Sequence, residues 1–235
     1  MRWRPFGPSG PSWWELTVQA LSSTDEGYDR LAPRFEATPF RTPDPILQRA
    51  LDGVNGVSAA IDLCCGTGAA LGVLAPKAER IVGIDRSAGM LEQARERLAG
   101  AELFRGDALD PPAQLDGVFD VATCFGAFGH IRPADERRFV AAVHRLLKPG
   151  GRFVFATTDP GRGRPVGRAL ARTFNGVMHV RNALWRPPFI MFYLTFELPR
   201  ARALLEAAGF TVESDHPFEP PYDRLVRVVA TKADC

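Results

Sequence analysis

The chain of 235 residues is short of cysteine, lysine and net charge. Its four cysteines, Cys64, Cys65, Cys124 and Cys235, include one adjacent pair and no repeated Cys-x-x-Cys spacing. That pattern argues against a zinc centre and against a secreted disulfide framework, and it predicts reduced thiols in a cytoplasmic protein. Lys77, Lys148 and Lys232 are the only lysines, so nearly all positive charge is arginine. The net charge of +2 is too small to mark a nucleic-acid binder. Long apolar runs are missing as well. The longest, FIMFYLTF at 189–196, cannot span a bilayer as a helix, so no integral membrane association is expected. The opening MRWRPFGPSGPSWW has early arginines but no apolar h-region, and does not read as a signal peptide. Acid is absent between Pro160 and Phe196, a stretch holding Arg162, Arg164, Arg168, Arg172, Arg181 and Arg186. A solvated helix face, steering of an anionic substrate and contact with a membrane surface all fit that stretch.

What is present is an α/β rhythm. After a Pro- and Gly-rich arm and helical pieces over residues 1–50, the run AAIDLCC from Ala59 reads as a strand ending in a glycine turn. Residues 67–76 read as helix. RIVGID at 80–85 is a second strand, and Ser87 caps a helix over 88–98 with Met90, Leu91, Ala94 and Leu98 on one face. AELFRGD, VFDVATCF and RFVFATT supply three more strands, with a helix predicted over 133–147. The rhythm then breaks for about 40 residues, from about 160 to 197. It resumes with a helix in LPRARALLEAAGF and strands at 210–216 and 224–231. Strands alternating with helices predict a mostly parallel sheet with ligands at the carboxyl ends of its strands.

The chemistry concentrates at three of those ends. Gly66 and Gly68 lack Cβ atoms, so a ligand can lie against the backbone, and the following helix N-terminus favours an anionic group. Asp62, four residues before Gly66, is placed to accept from a ligand ammonium. Asp85 closes the second strand about 20 residues past the turn, where a carboxylate grips two ribose hydroxyls. Asp107 closes the third strand and can accept from an adenine amino group, with Met90 packing on the adenine face.

The segments IDLCCGTG, IVGID and GDA, in this order and spacing, resemble the class I S-adenosylmethionine-dependent methyltransferases. FDVATCFGAFGHI and LLKPGGRFVFATTD continue the likeness, which covers about residues 55–160. It implies a Rossmann-like, doubly wound seven-stranded sheet in the order 3-2-1-4-5-7-6 with the last strand antiparallel. It implies S-adenosylmethionine as cofactor and S-adenosylhomocysteine as product. Carried over by residue, Asp62, Cys64 and Gly66 line the methionine part of the cofactor. Asp85 and Arg86 border the ribose, and Asp107 and Ala108 face the adenine. Cys124 and Phe125 lie beneath the sulfonium, and Tyr28 resembles a helix tyrosine that reaches the cofactor from the N-terminal side. Cys64 departs from the pattern, since many members carry glycine there.

Residues 1–50 are therefore expected as an arm with lid helices. Residues 51–235 would form the methyltransferase domain, with an acceptor-side insert at about 160–197. His130, in the loop after the fourth strand, is the candidate base for a hydroxyl acceptor. Trp13, Trp14, Trp185, Phe189, Phe192 and Tyr193 are candidates for the acceptor pocket. They point to a small apolar or aromatic acceptor methylated on oxygen slightly ahead of nitrogen or carbon. No metal is expected, because Cys124 and Phe125 stand where a magnesium-dependent enzyme needs carboxylate. The Asp-Pro-Pro-Tyr type tetrad of amino-directed nucleic-acid enzymes is also missing after the fourth strand, so nucleic acid is not expected as a partner. The oligomeric state is not legible. A nucleotide-dependent oxidoreductase would need a third glycine where Leu71 stands. A non-catalytic cofactor-binding partner protein is the other alternative.

Overall fold

In the computed structural model, residues 4–162 and 165–234 are described. Arg164 and Cys235 lie outside them.

Seven strands form one sheet: β1 (Val57–Leu63), β2 (Ala78–Asp85), β3 (Glu102–Arg105), β4 (Phe119–Thr123), β5 (Leu147–Thr158), β6 (Phe210–Asp215) and β7 (Leu225–Lys232). Their order is β3-β2-β1-β4-β5-β7-β6, as the resemblance implied. β1 pairs in parallel with β2 and β4, whereas β7 runs antiparallel to both β5 and β6. The central strands are buried on both faces, which is why Ala60, Ile61, Leu63, Val82 and Ile84 form nearly continuous apolar runs rather than alternating ones. One face packs Phe139, Val143 and Leu146 of α6 (Glu136–Leu146) on Phe119, Phe153 and Phe155. The other packs Leu71 and Leu74 of α4 (Ala69–Leu74) and Leu91 of α5 (Ala88–Arg97) on Ala60, Val121 and Val154.

Before the sheet come α1 (Trp13–Leu21), α2 (Thr24–Leu31), a 3-10 turn at Ala32–Ala37 and α3 (Asp44–Ala50). Ser12 and Glu15 form a reciprocal capping box that starts α1. The segment after β5 where the rhythm breaks contains α7 (Pro165–Leu184), a helix of 20 residues. α8 (Leu198–Ala207) then leads into β6, with Gly209 at φ +89 ending it in the left-handed conformation glycine favours. α6 starts three residues later than predicted, so Pro133 lies before the helix. Among the described residues, no helix is long and apolar enough to cross a membrane.

Candidate active site

β1 and β2 deliver their carboxyl ends side by side, with Asp62 in register with Gly83 and Leu63 with Ile84. The chain then turns through Cys64 (φ +57), Gly66 (φ +53) and Gly68 (φ +82) into α4. Cys64 holds a left-handed conformation that costs a side-chain-bearing residue about 1–2 kcal/mol, a physical reason for the glycine that the resemblance leads one to expect here. A Cβ built on Gly66 would meet no atom within 4 Å, so its outer face is open space. A Cβ on Gly68 would press on Leu98 at 3.0 Å. Gly68 thus serves the close packing of the turn on α5, and it does not line the cavity.

The open space is a cavity of about 520 Å³, a volume suited to a cofactor plus a small acceptor. Its wall includes Tyr28, Asp62, Cys64, Gly66, Asp85, Arg86, Met90, Asp107, Ala108, Phe125 and His130. These eleven predicted residues, drawn from both sides of the sheet edge, are brought together. Cys124 is not among them. It is fully buried behind the wall, in the core beneath Cys64.

The carboxylates differ in their surroundings. Asp62 is buried and accepts from the Thr123 hydroxyl at 2.6 Å. Burial pushes its pKa up to about 7, against the opposing effect of that hydrogen bond. Asp85 accepts from the Gly66 N–H at 2.8 Å through one oxygen and from the Ser87 N–H at 2.9 Å through the other. Burial raises its pKa, while those two amides hold it back. A carboxylate has about four lone-pair sites, so two remain for a ligand. Asp107 is more exposed, accepts from the Leu109 N–H and lies 3.7 Å from Arg86.

Several contributors carried no sequence signal. Thr123 faces Asp62 across 61 residues. Asp29 on α2 accepts from the Ser87 hydroxyl at 2.6 Å and from the Gly89 N–H at 2.9 Å. Asp25 pairs with Arg86 at 2.8 Å, and Glu36 accepts from the Thr67 hydroxyl. Phe35, Phe40, Arg41 and Thr42 from the N-terminal segment line the cavity, as do Pro188 and Ile190 after α7. Only short-range signals are visible in an isolated sequence, and these pairings span from about thirty to about sixty residues.

His130 is held at both nitrogens. Its Nδ1 lies 2.5 Å from the Ile190 carbonyl oxygen and its Nε2 lies 2.8 Å from the Tyr28 hydroxyl. A carbonyl only accepts, so Nδ1 carries the proton. In the neutral ring Nε2 is then the acceptor, and Tyr28 donates to it. Burial lowers the His130 pKa, which favours this neutral form. Burial also raises the Tyr28 pKa, so the phenol keeps its proton.

The predicted acceptor residues are placed differently. Trp13 and Trp14 are exposed on α1, while Glu15 of the same helix pairs with Arg34. Trp185 donates its ring N–H to the Leu21 carbonyl and is also exposed. Phe189 is buried one layer back, stacked on Tyr28 at 6.4 Å. Phe192 stacks on His179. Tyr193 packs on Phe174, and its backbone is bound at both N–H and C=O by Asn175. None of these six lines the cavity. Large apolar residues in the insert thus fasten it down, while its backbone and the smaller Pro188 and Ile190 reach the cavity. The fastening includes one close seam. The Phe192 N–H donates to the Gly129 carbonyl at 2.8 Å, and a Cβ on Gly129 would sit 2.6 Å from the Phe192 oxygen.

The fit to an adenosyl cofactor rests on this geometry: an open backbone cradle at Gly66, a buried carboxylate for an ammonium, and a second carboxylate with free lone pairs at the next strand end. Among the described residues no group of three or more His, Cys, Asp or Glu side chains is arranged to hold a metal ion.

Comparison with known proteins points the same way. A family model described as a methyltransferase domain matches residues 60–151. An uncharacterized methyltransferase of Synechocystis sp., sll0829, is 31% identical over 180 residues, covering 73% of this chain and 76% of that protein. The demethylmenaquinone methyltransferase of Clavibacter sepedonicus is 40% identical over 109 residues, 45% of this chain and 43% of that protein. Among solved structures, an O-methyltransferase family protein from Burkholderia thailandensis superposes with a TM-score of 0.68 at 20% identity, over 94% of this chain and 68% of that one. The last likeness speaks to the fold alone.

Proposed function

Because this chain belongs to the class I S-adenosylmethionine-dependent methyltransferases, we propose that it methylates a small apolar or aromatic hydroxyl compound, with Tyr28 and His130 taking up the proton that leaves. The observation that carries this reading is the Ile190–His130–Tyr28 chain of hydrogen bonds, which ends in the cavity wall. The cofactor supplies a sulfonium methyl group already activated for displacement. The residues of this chain bind, orient and exclude water.

In this reading Asp62 holds an ammonium, Asp85 the ribose hydroxyls and Asp107 the adenine amino group. Cys64, Gly66, Arg86, Met90, Ala108 and Phe125 shape the rest of that half. Residues 1–50 act as arm and lid, residues 51–235 as the methyltransferase domain, and the insert at about 160–197 as the acceptor side. Phe40, Pro188 and Ile190 give the acceptor half an apolar lining, and they replace the aromatic set expected from sequence. No metal takes part. An acceptor hydroxyl donates to the Tyr28 oxygen while Tyr28 donates to Nε2 of His130. As the acceptor oxygen takes the methyl group, its proton passes to Tyr28 and the Tyr28 proton to His130. The Ile190 carbonyl steadies the resulting imidazolium through Nδ1–H. The demethylmenaquinone methyltransferase among the relatives makes a quinol-like aromatic a sensible first candidate, although this chain spans less than half of that protein's length.

The test is a panel of aromatic alcohols, quinols and amines assayed with labelled S-adenosylmethionine on the wild-type chain, Tyr28→Phe, His130→Ala and the double variant. Each single variant should lower kcat toward a hydroxyl acceptor by about 10²–10⁴-fold. The double variant should lose little more, since the two residues act as one relay. S-adenosylhomocysteine affinity should stay within about threefold of wild type in His130→Ala, because pocket contacts other than the base carry it. Full activity of His130→Ala, or turnover restricted to amines, would refute the relay and leave the family assignment standing.

A further inference from the structure

We propose that the outward face of α7 docks on an anionic phospholipid bilayer. The helix turns an apolar stripe to the outside, unlike an ordinary surface helix. Positions 166, 170, 173, 177, 180 and 184 recur at intervals of four and three, which puts them on one stripe. All six are exposed, and Val166, Leu170, Val177, Val180 and Leu184 make five of them apolar. Val166 is 72% and Leu184 82% exposed.

The opposite face holds buried Met178 and Phe174, which packs on Tyr193, and it is pinned to the protein mainly by polar side chains. Arg168 pairs with Glu197, and Asn175 binds the Tyr193 backbone. Arg181 donates to the Pro187 and Ser22 carbonyls, and Asn182 binds the Phe189 backbone. These bonds fix the rotation of the helix, so the apolar stripe cannot turn inward without breaking them. The patch continues past the helix end through exposed Trp185, whose ring N–H is tied to the carbonyl of Leu21, itself exposed.

Charge selects the occupant. No Asp or Glu occurs from residue 161 to residue 195, and Arg162, Arg172 and Arg186 are exposed along this stretch. A second copy of the chain would bring the same cations against them. A bilayer with acidic headgroups brings the opposite charge and an apolar layer beneath it, which is what a basic amphipathic helix lying in a membrane interface uses. Pro188 and Ile190, on the segment leaving α7, line the cavity, so the docking face and the cavity share one stretch of chain.

The test is co-sedimentation of the full chain with vesicles of equal parts phosphatidylglycerol and phosphatidylcholine, against vesicles of phosphatidylcholine alone. The wild-type chain should pellet with the acidic vesicles, less so as salt is raised. Combining Leu170→Glu, Val177→Glu and Leu184→Glu should weaken that binding about tenfold or more, as should Arg172→Glu with Arg186→Glu. S-adenosylhomocysteine affinity, unchanged in both variants, reports that the fold is intact. A wild-type chain that stays in the supernatant with acidic vesicles at low salt would overturn the proposal, as would binding indifferent to both sets of changes. A wild-type dimer that the three glutamates convert to a monomer, without vesicle binding, would also overturn it and make the face an interface between copies.

Discussion

The two halves of the cavity are built by different means. On the sheet side, Asp62 and Asp85 sit at the ends of neighbouring parallel strands, and their positions follow from backbone register. On the cover side, Tyr28, His130 and Ile190 come from α2, the loop after β4 and the segment after α7, held by side-chain bonds across 102 and 60 residues. Even the anchor of Ile190 is remote, its N–H donating to the Thr24 hydroxyl 166 residues away. A wall set by register tolerates little change and suits a constant ligand. A wall set by scattered pairings can be rebuilt, which suits an acceptor that differs between relatives.

The largest effect should come from cutting the sheet side. Asp85→Ala removes an acceptor of two backbone amides along with the proposed ribose grip. S-adenosylhomocysteine affinity measured by calorimetry should fall roughly a hundredfold, the sum of two hydrogen bonds to a charged group at about 1.5 kcal/mol or more each. Affinity equal to wild type would erase the distinction between the halves. Next comes the cover. Gly129→Ala drives a methyl group against the Phe192 carbonyl oxygen, and neighbouring backbone has little room to give. It should cost about 1–3 kcal/mol of stability in urea unfolding and lower turnover, with cofactor affinity nearly intact.

A third, smaller effect is pH-dependent. The Asp62 pKa is raised to about 7, so the empty protein binds a proton there that the unfolded chain has lost. Stability from that proton is fully present below the unfolded carboxylate value of about 4 and lost as pH rises through about 7. A ligand ammonium favours the charged carboxylate and must expel the proton. S-adenosylhomocysteine affinity should therefore weaken as pH falls below about 7, by at most tenfold per unit, and calorimetry in two buffers should record proton release. Asp62→Asn should flatten the profile; a variant with the wild-type slope would place the titration elsewhere. The His130 pKa moves the other way, so the acid limb of kcat should lie below the ordinary imidazole value of about 6.5. The smallest effect is Trp14→Ala, expected to leave stability within about 0.5 kcal/mol and turnover unchanged.

That ordering parallels what was legible beforehand. The strand order, the glycine turn and the carboxylates at three strand ends were readable because each depends on a few adjacent residues. Cys64 was noted only as a departure, and its left-handed φ supplies the reason. Tyr28 and His130 were each singled out, yet nothing in the sequence said they touch. Trp13 and Trp14 lie off the cavity wall, and size and apolarity alone do not tell which way a helix faces. The Glu15–Arg34 pair, formed across 19 residues, marks the inward side. In the insert, apolar spacing alone could not reveal that α7 turns its stripe outward, since the inward face is chosen by asparagines and arginines binding backbone elsewhere in the chain.

The bond from the Gly89 amide to Asp29 gives the molecule a built-in clock. An amide in the first turn of a helix has no acceptor within that helix, so this one is shielded by α2 alone. Its proton can trade with solvent when that bond opens. The deuterium uptake of a single glycine would therefore report how often α2 parts from the start of α5, and slowing of that uptake when the cavity is filled would report how firmly a ligand holds the two together.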